Sequence, residues 1–206
     1  MKKLIVGLLL ASCLFYSCKE KTEIIEEETF NKPVFNPNPS GEYLSPEESL
    51  KTMVLPNGYH LELVASEPMI KEPVAIAWDG NAKMYVAEML TYMLDADAKG
   101  EQVNVSRISL LEDTDNDGKM DKSSVFIDSL LLPRMILCVN HELLVNETNT
   151  ITIHAYKDTD GDGKADQKRI VFQKEGYRLA DANMEHQRSG IDWNLDNYIY
   201  LTYDPV

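Results

Sequence analysis

Cysteine and positive charge are both scarce in this chain, and each shortage removes a class of protein. Its three cysteines, Cys13, Cys18 and Cys138, cannot build a disulfide framework, because two of them fall in the N-terminal segment. Cys138 is then alone in the body, between Leu137 and Val139, and reads as a buried thiol. There is no CxxC zinc pattern, and no haem motif of the CxxCH type in this chain. Lys and Arg number 20 against 34 Asp and Glu, a formal charge of −14 that would repel nucleic acid unless a basic patch intervened. No such patch is found, so nucleic acid is excluded as a partner. Hydrophobic residues still make up 44% of the 206, enough for one folded domain of ordinary size.

The long apolar run lies at the start. "MKKLIVGLLLASCLFYSCKEK" has Lys2 and Lys3, an apolar stretch over 4–16, then Ser17 and Cys18. The stretch is short for a permanent membrane span and matches a secretory signal. A cysteine after a small residue at its end resembles a bacterial lipoprotein signal, in which that cysteine is lipidated and becomes the first mature residue. Leu10-Ala11-Ser12-Cys13 fits the lipobox letter by letter, but cleavage there would leave Leu14, Phe15 and Tyr16 beside the anchor. Cys18 is followed at once by the polar "KEKTEIIEEE", which favours Cys18 as the lipidation site.

Residues 1–18 are thus expected to be the signal peptide with its lipobox. Residues 19–40 form an acidic, Pro- and Asn-rich tether, where Glu20, Glu23 and Glu26 to Glu28 precede "NKPVFNPNPS" and its three prolines resist helix and sheet. The acidic stretch resembles the surface-export signal of Bacteroidetes lipoproteins. The expected location is the cell envelope of a Gram-negative, Bacteroidetes-like bacterium, with the chain lipid-anchored at the outer membrane or cell surface.

In the body, residues 41–206, Ser45 with Pro46 and Glu48 makes a capping-box pattern that predicts a short helix over 46–53. Short runs rich in Val, Ile and Tyr follow: "YHLELVA", "VAIAWD", "KMYVAEM", "RISLLED", "SSVFID", "ELLVNE", "TITIHAYKD", "KRIVFQ", "GIDWN" and "YIYLTYD". Clusters of Asp, Asn and Gly separate them, which predicts an all-β body. The pattern repeats. "EDTDNDGKMDKSSVFID" at Glu112 returns as "KDTDGDGKADQKRIVFQ" at Lys157, and "IAWDGNAKMYVAEM" at Ile76 aligns with "IDWNLDNYIYLTYD" at Ile191. Trp78 thereby matches Trp193, and Tyr85 matches Tyr200. "LPRMILCVNHELLVNET" from Leu132 holds the same place in the middle unit. Each unit reads strand, turn, strand, acidic hairpin, strand. Units of this length predict an incomplete β-propeller, two blades plus part of a third, after the signal peptide, tether and short helix. Such a piece leaves an apolar face uncovered and is expected to be a fragment or to need a partner.

Asp113, Asp115, Asp117 and Asp121, with Gly118, form D-x-D-x-D-G-x-x-D, and Asp158, Asp160, Asp162 and Asp166 repeat it with Gly163. Alternate carboxylates on a tight loop converge, and unneutralised they repel, so calcium is the expected ligand. The loop is not a full EF-hand: the twelfth position is Ser124 or Arg169, where a bidentate Glu is expected, and strands follow instead of helices. A solvated Asp-Gly hairpin is the plainer alternative.

His186 stands between Glu185 and Gln187, before Ser189, Gly190, Asp196 and Tyr200. This order resembles the pyrroloquinoline-quinone glucose/sorbosone dehydrogenase propellers, with Arg188 as an insertion. Together with "LEDTDNDGKMD", "LPR", "KDTDGDGKAD" and "HQRSGIDWNLDNYIY", the span from Leu44 resembles the N-terminal propeller of the membrane-bound dehydrogenase group of Planctomycetes, Verrucomicrobia and Bacteroidetes. The resemblance implies a quinoprotein oxidation of a sugar or alcohol substrate, with His186 as general base and Glu185 orienting it. It also implies a possible c-type cytochrome domain or protein as partner and pyrroloquinoline quinone as cofactor in the full-length relative. The family's quinone-contacting groups come largely from later blades, so this chain is not expected to be active alone. A lipid-anchored binding or scaffold propeller, with calcium-stabilised hairpins and no catalysis, is the other expectation.

Overall fold

The computed structural model describes residues 41–173 and 187–202. The signal segment with Cys13 and Cys18, the tether, and Glu185 and His186 lie outside the described residues. Helix α1, Pro46–Thr52, is set by its cap and buries no side chain. The Ser45 hydroxyl accepts the Glu48 N–H at 3.2 Å, and the Ser45 N–H donates to the Glu48 carboxylate at 3.0 Å. Two otherwise orphaned amides are thereby satisfied. Among the described residues no helix is long and apolar enough to cross a membrane.

The rest is β. Strands β1 (Pro73–Trp78), β2 (Met84–Glu88), β3 (Ser106–Glu112) and β4 (Lys122–Leu130) form the first antiparallel sheet in chain order. Strands β5 (Met135–Val139), β6 (Glu142–Asn146), β7 (Ile153–Lys157) and β8 (Gln167–Phe172) form the second in the same order. β9 (Ile191–Trp193) and β10 (Ile199–Leu201) pair as a two-stranded third sheet. The all-β expectation therefore holds, with one short helix and open sheets among the described residues.

The repeated sequence gives repeated geometry. Trp78 faces Met84 and Ala77 faces Tyr85 in the first hairpin; Trp193 faces Ile199 and Asp192 faces Tyr200 in the third sheet. Both turns close alike: the Asp79 N–H donates to the Lys83 carbonyl at 3.0 Å and the Asn194 N–H to the Tyr198 carbonyl at 3.1 Å. Ala82 and Asn197 take the left-handed conformation at equivalent places, φ 61° and 65°. The middle unit instead turns in two residues, Asn140 and His141, both at positive φ, which suits the twist of a tight hairpin.

One expected strand differs. "YHLELVA", residues 59–65, pairs with no described strand. Val64 and Ala65, with Met69 and Ile70, instead pack on Met84, Val86, Leu111 and Met120 of the first unit. Alternation marks a segment fit for a sheet, but an edge to pair with must come from elsewhere.

The main core lies between sheets one and two: Ala77, Ala87, Ile108, Leu110 and Phe126 meet Ile136, Leu143, Val145 and Tyr156. The far face of sheet two, Leu144, Ile153 and Ala155 with Leu137 and Val139, packs against Ile191 of β9. Apolar burial on alternate strand positions holds each sheet to the next. Cys138 packs at the edge of the main core; burial, then the Asp79 charge, pushes its thiol up to about 12, so it stays protonated.

The sheets approach each other through their first strands, β5 lying against β1 and β2, and β9 against β5. Farther out, a cavity of about 350 Å³ opens between β4 and the β7–β8 region, lined by Val125, Ile127, Asp128, Tyr156, Lys164 and Lys168.

Candidate functional sites at two ends of the sheets

Up-and-down connections sort the loops into two sets. The turns after β1, β3, β5, β7 and β9 lie at one end, the hairpin end. The connections after β2, β4, β6 and β8 lie at the other, the loop end.

Both acidic motifs are at the hairpin end, and they have one geometry. Asp113 accepts the amides of Asn116 and Gly118 at 2.7 and 2.9 Å, and Asp158 accepts those of Gly161 and Gly163 at the same distances. Asp121 accepts the Thr114 amide at 3.1 Å and its hydroxyl at 2.8 Å; Asp166 does the same with Thr159, at 3.2 and 2.5 Å. Gly118 and Gly163 sit at φ 89° and 86°, where a side chain is strained.

These amides set the charge state. Amide donation, from Gly118 above all, holds the Asp113 carboxyl below its usual value. Burial works to raise Asp158, but the Gly163 and Gly161 amides outweigh it and hold it low as well.

Donor atoms of Asp113, Asp115 and Asp117 lie within 4.8 Å of one another, as do those of Asp158, Asp160 and Asp166. The two sets are not identical: Asp121 stands outside the first and Asp162 outside the second. Carboxylate oxygens alone, converging on a turn, are the donor chemistry of a hard cation such as calcium, with water completing the shell. The residues present therefore fit that ion.

Between the β1–β2 and β5–β6 turns of this end lies an open cavity of about 400 Å³, lined by Trp78, Asp79, Tyr85, Asn140, His141 and Trp193 among others. Tyr85 is pushed up to about 12, by burial first and then by Asp79 and other acids, so it is a neutral phenol.

The loop end holds a polar network around Gln187. Gln187, directly after His186, accepts the Asn149 amide at 3.2 Å and so ties the third unit to the β6–β7 connection. Beside it, the buried Thr148 hydroxyl donates to the Leu132 carbonyl at 2.9 Å and accepts Arg134 Nε–H at 3.0 Å. The Arg134 guanidinium lies 5.5 Å from the centre of the Tyr92 ring. Burial pushes this guanidinium down from its usual value, and Tyr92 and the buried Glu101 oppose that push. Glu147 caps the Leu131 amide at 2.8 Å.

The sequence thus placed the two acidic motifs and the Gln187 segment, and the fold sets them at opposite ends. No metal held by the acidic turns reaches the loop-end residues. Around Gln187, Arg134 is engaged by Thr148 and Tyr92, and Arg188 lies among Met135, Ile151, Ile153 and Leu201, so these two arginines do not converge on a seat for a quinone's carboxylates. No chemical step is therefore derived through that cofactor.

Two groups escaped the sequence reading. Glu88, fully buried in β2, accepts Arg107 Nε–H at 2.7 Å and the Ser109 hydroxyl at 2.6 Å. Arg134 with Tyr92, Glu101 and Thr148 is the other. An acid on the inward side of "MYVAE" is the only sequence signal for the first, and it has meaning only once β3 is in register opposite β2.

No curated protein matches the chain. Residues 45–205, most of its length, match the family model described as a domain of unknown function, DUF7133. That span runs from the cap of α1 through the ten strands of the described residues, so the chain belongs to the DUF7133 family.

Proposed function

We propose that the chain is a lipid-anchored, envelope-exposed part of a β-propeller of the quinoprotein dehydrogenase type, made of two blades and part of a third. The observation that carries this reading is the way its sheets meet: close at successive first strands, while β4 touches the β7–β8 turn at Ala165 and stands off from β8 beside a cavity of about 350 Å³. Blades fanned about an axis have that shape, whereas the two sheets of a sandwich keep an even spacing of about 10 Å. Cys18 would carry the lipid. The acidic turns would hold calcium as struts, not as catalysts, because they lie away from the loop end.

Gln187, fixed on Asn149, supports the loop end as the place of chemistry, since Glu185 and His186 directly precede it. There His186 would take the hydroxyl proton of a sugar or alcohol, with Glu185 orienting the imidazole. A c-type cytochrome domain or protein would take the electrons onward. The assigned residues supply a base and its orienting carboxylate but no cationic seat for a quinone, so turnover is not expected of the isolated chain. In the full-length protein, His186→Ala should lower kcat by roughly 10²–10⁴ with the fold unchanged. Unchanged turnover would defeat the assignment.

A second reading is a calcium-braced binding propeller without catalysis. The shared geometry of the two acidic turns, beside a loop end whose Arg134 is engaged by Thr148, favours it. Calcium-dependent stabilisation together with no change in quinone absorbance, with sugar or alcohol substrates, would select this reading.

A further inference from the structure

The chain has two tryptophans, and both line the open cavity at the hairpin end. Trp78 closes β1 and is 47% exposed; Trp193 closes β9 and is 52% exposed. Trp193 is not exposed for want of a neighbour. Ile191, two residues earlier on the same face of β9, packs on sheet two, so Trp193 stands beside a sheet and still meets solvent. The same place in two units thus carries an indole that core packing does not explain.

The β5–β6 turn adds a second anomaly. Asn140 and His141 are its two central residues, at φ 51° and 63°. Asn followed by Gly is the unstrained pair for such a turn. Histidine stands in the glycine's place, at a cost in backbone strain, and it is exposed at the cavity.

The charges around the cavity are largely answered within the protein. Lys83 pairs with Glu112 at 3.1 Å, Glu142 accepts Arg169 Nε–H at 2.9 Å, and Asp158 is held by the amides of its own turn. Asp79 Oδ1 accepts the amides of Asn81 and Lys83 at 2.8 and 2.9 Å, which leaves Oδ2 as a spare acceptor. Among the described residues, the side chains of Asn81, Asn140 and His141 and both indole N–H groups make no hydrogen bond. What is left to meet a ligand is two indoles, two carboxamides, an imidazole and one carboxylate oxygen. An indole face attracts the weakly positive C–H groups of a pyranose ring. Carboxamides and a neutral imidazole both donate to and accept from its hydroxyls, and the carboxylate accepts. A cavity of about 400 Å³ has the size of a small-ligand site and admits a mono- or disaccharide.

We propose that the hairpin-end cavity is a carbohydrate site. A neutral pyranoside lies against Trp78 and Trp193, and Asp79, Asn81, Asn140 and His141 bond its hydroxyls. The site is at the opposite end of the sheets from the Gln187 segment, and it needs neither a quinone nor His186.

Because the chain has no other tryptophan, its intrinsic emission reads this cavity directly. The full chain is titrated with methyl glucoside, methyl galactoside, N-acetylglucosamine, cellobiose and maltose. Glucuronate and choline serve as anionic and cationic controls. At least one neutral sugar should bind saturably with a Kd of about 1 mM or less, shift the emission to the blue and shield it from acrylamide. By calorimetry, Trp193→Ala should weaken that binding about tenfold or more. His141→Gly relieves the strained turn, so it should melt no lower than the wild type, yet bind about tenfold more weakly. A residue serving the turn alone would lose nothing. His186→Ala should bind as the wild type does. No response to any of the neutral sugars overturns the proposal. So does binding that either cavity substitution leaves unchanged, or choline or glucuronate binding more tightly than every neutral sugar. Loss of binding in His186→Ala also overturns it, and would place the sugar at the loop end instead.

Discussion

Alanine at Gly163 meets two obstacles, and at Gly118 one. Both glycines have φ near +90°, which costs about 1 kcal/mol or more for a residue with a Cβ. At Gly163 the new Cβ would also lie 3.3 Å from the Ser124 hydroxyl and 3.8 Å from Leu110, while at Gly118 it meets open space. Gly163→Ala should therefore lower unfolding stability by roughly 1 kcal/mol more than Gly118→Ala, as read by urea denaturation. Equal losses would mean that the second acidic turn does not lean on sheet one. Glu88→Ala belongs to the same scale: it strips Arg107 and the buried Ser109 hydroxyl of their acceptor and should cost about 2–4 kcal/mol. A loss under about 0.5 kcal/mol would contradict the buried pair.

Among the elements, the acidic turns make the sharpest prediction. Asp113 and Asp158 have carboxyls held below the usual 3.8. Their contribution is fully present above that value and is lost as pH falls through the lower, folded one. The melting temperature should therefore hold from neutral pH to about 5 as far as these turns decide it, and drop below about 4. Calcium should raise it at pH 7. Asp158→Asn, which leaves the Thr159–Asp166 contact in place, should weaken the second site about tenfold or more by calorimetry. Calcium that leaves the melting temperature unmoved would reduce both turns to solvated hairpins.

These turns were legible in the sequence because the carboxylate contacts that shape them span seven residues or fewer. The Ser45–Glu48 cap was legible for the same reason. The fate of "YHLELVA" was not, since alternation states a capacity for pairing and not the presence of an edge. Nor was Glu88, whose partners Arg107 and Ser109 stand opposite only through the β2–β3 register. The separation of the acidic turns from the Gln187 segment was equally hidden, for it follows from which loops share an end.

At the scale of the whole molecule, one unit of about four strands has been laid down repeatedly, and each copy covers the face of its neighbour. Stability then comes from the interfaces between units as much as from the units themselves. Phe126 packs on Tyr85 of its own sheet, ring centres 4.9 Å apart, and both join the core shared with sheet two, so Phe126→Ala should cost about 3–5 kcal/mol, uncouple the sheets and broaden the transition. A sharp transition at nearly the same midpoint would argue against a shared core.

Spin-label distances within one copy test the fan itself. One pair of labels sits on the inner turns, at Asn81 and Asn140, and the other on the outer hairpins, at Lys119 and Lys164. In dilute protein, the outer pair should be clearly farther apart than the inner pair. Equal separations near the spacing of packed sheets, about 10 Å before label length is added, would mean a sandwich and would contradict the account.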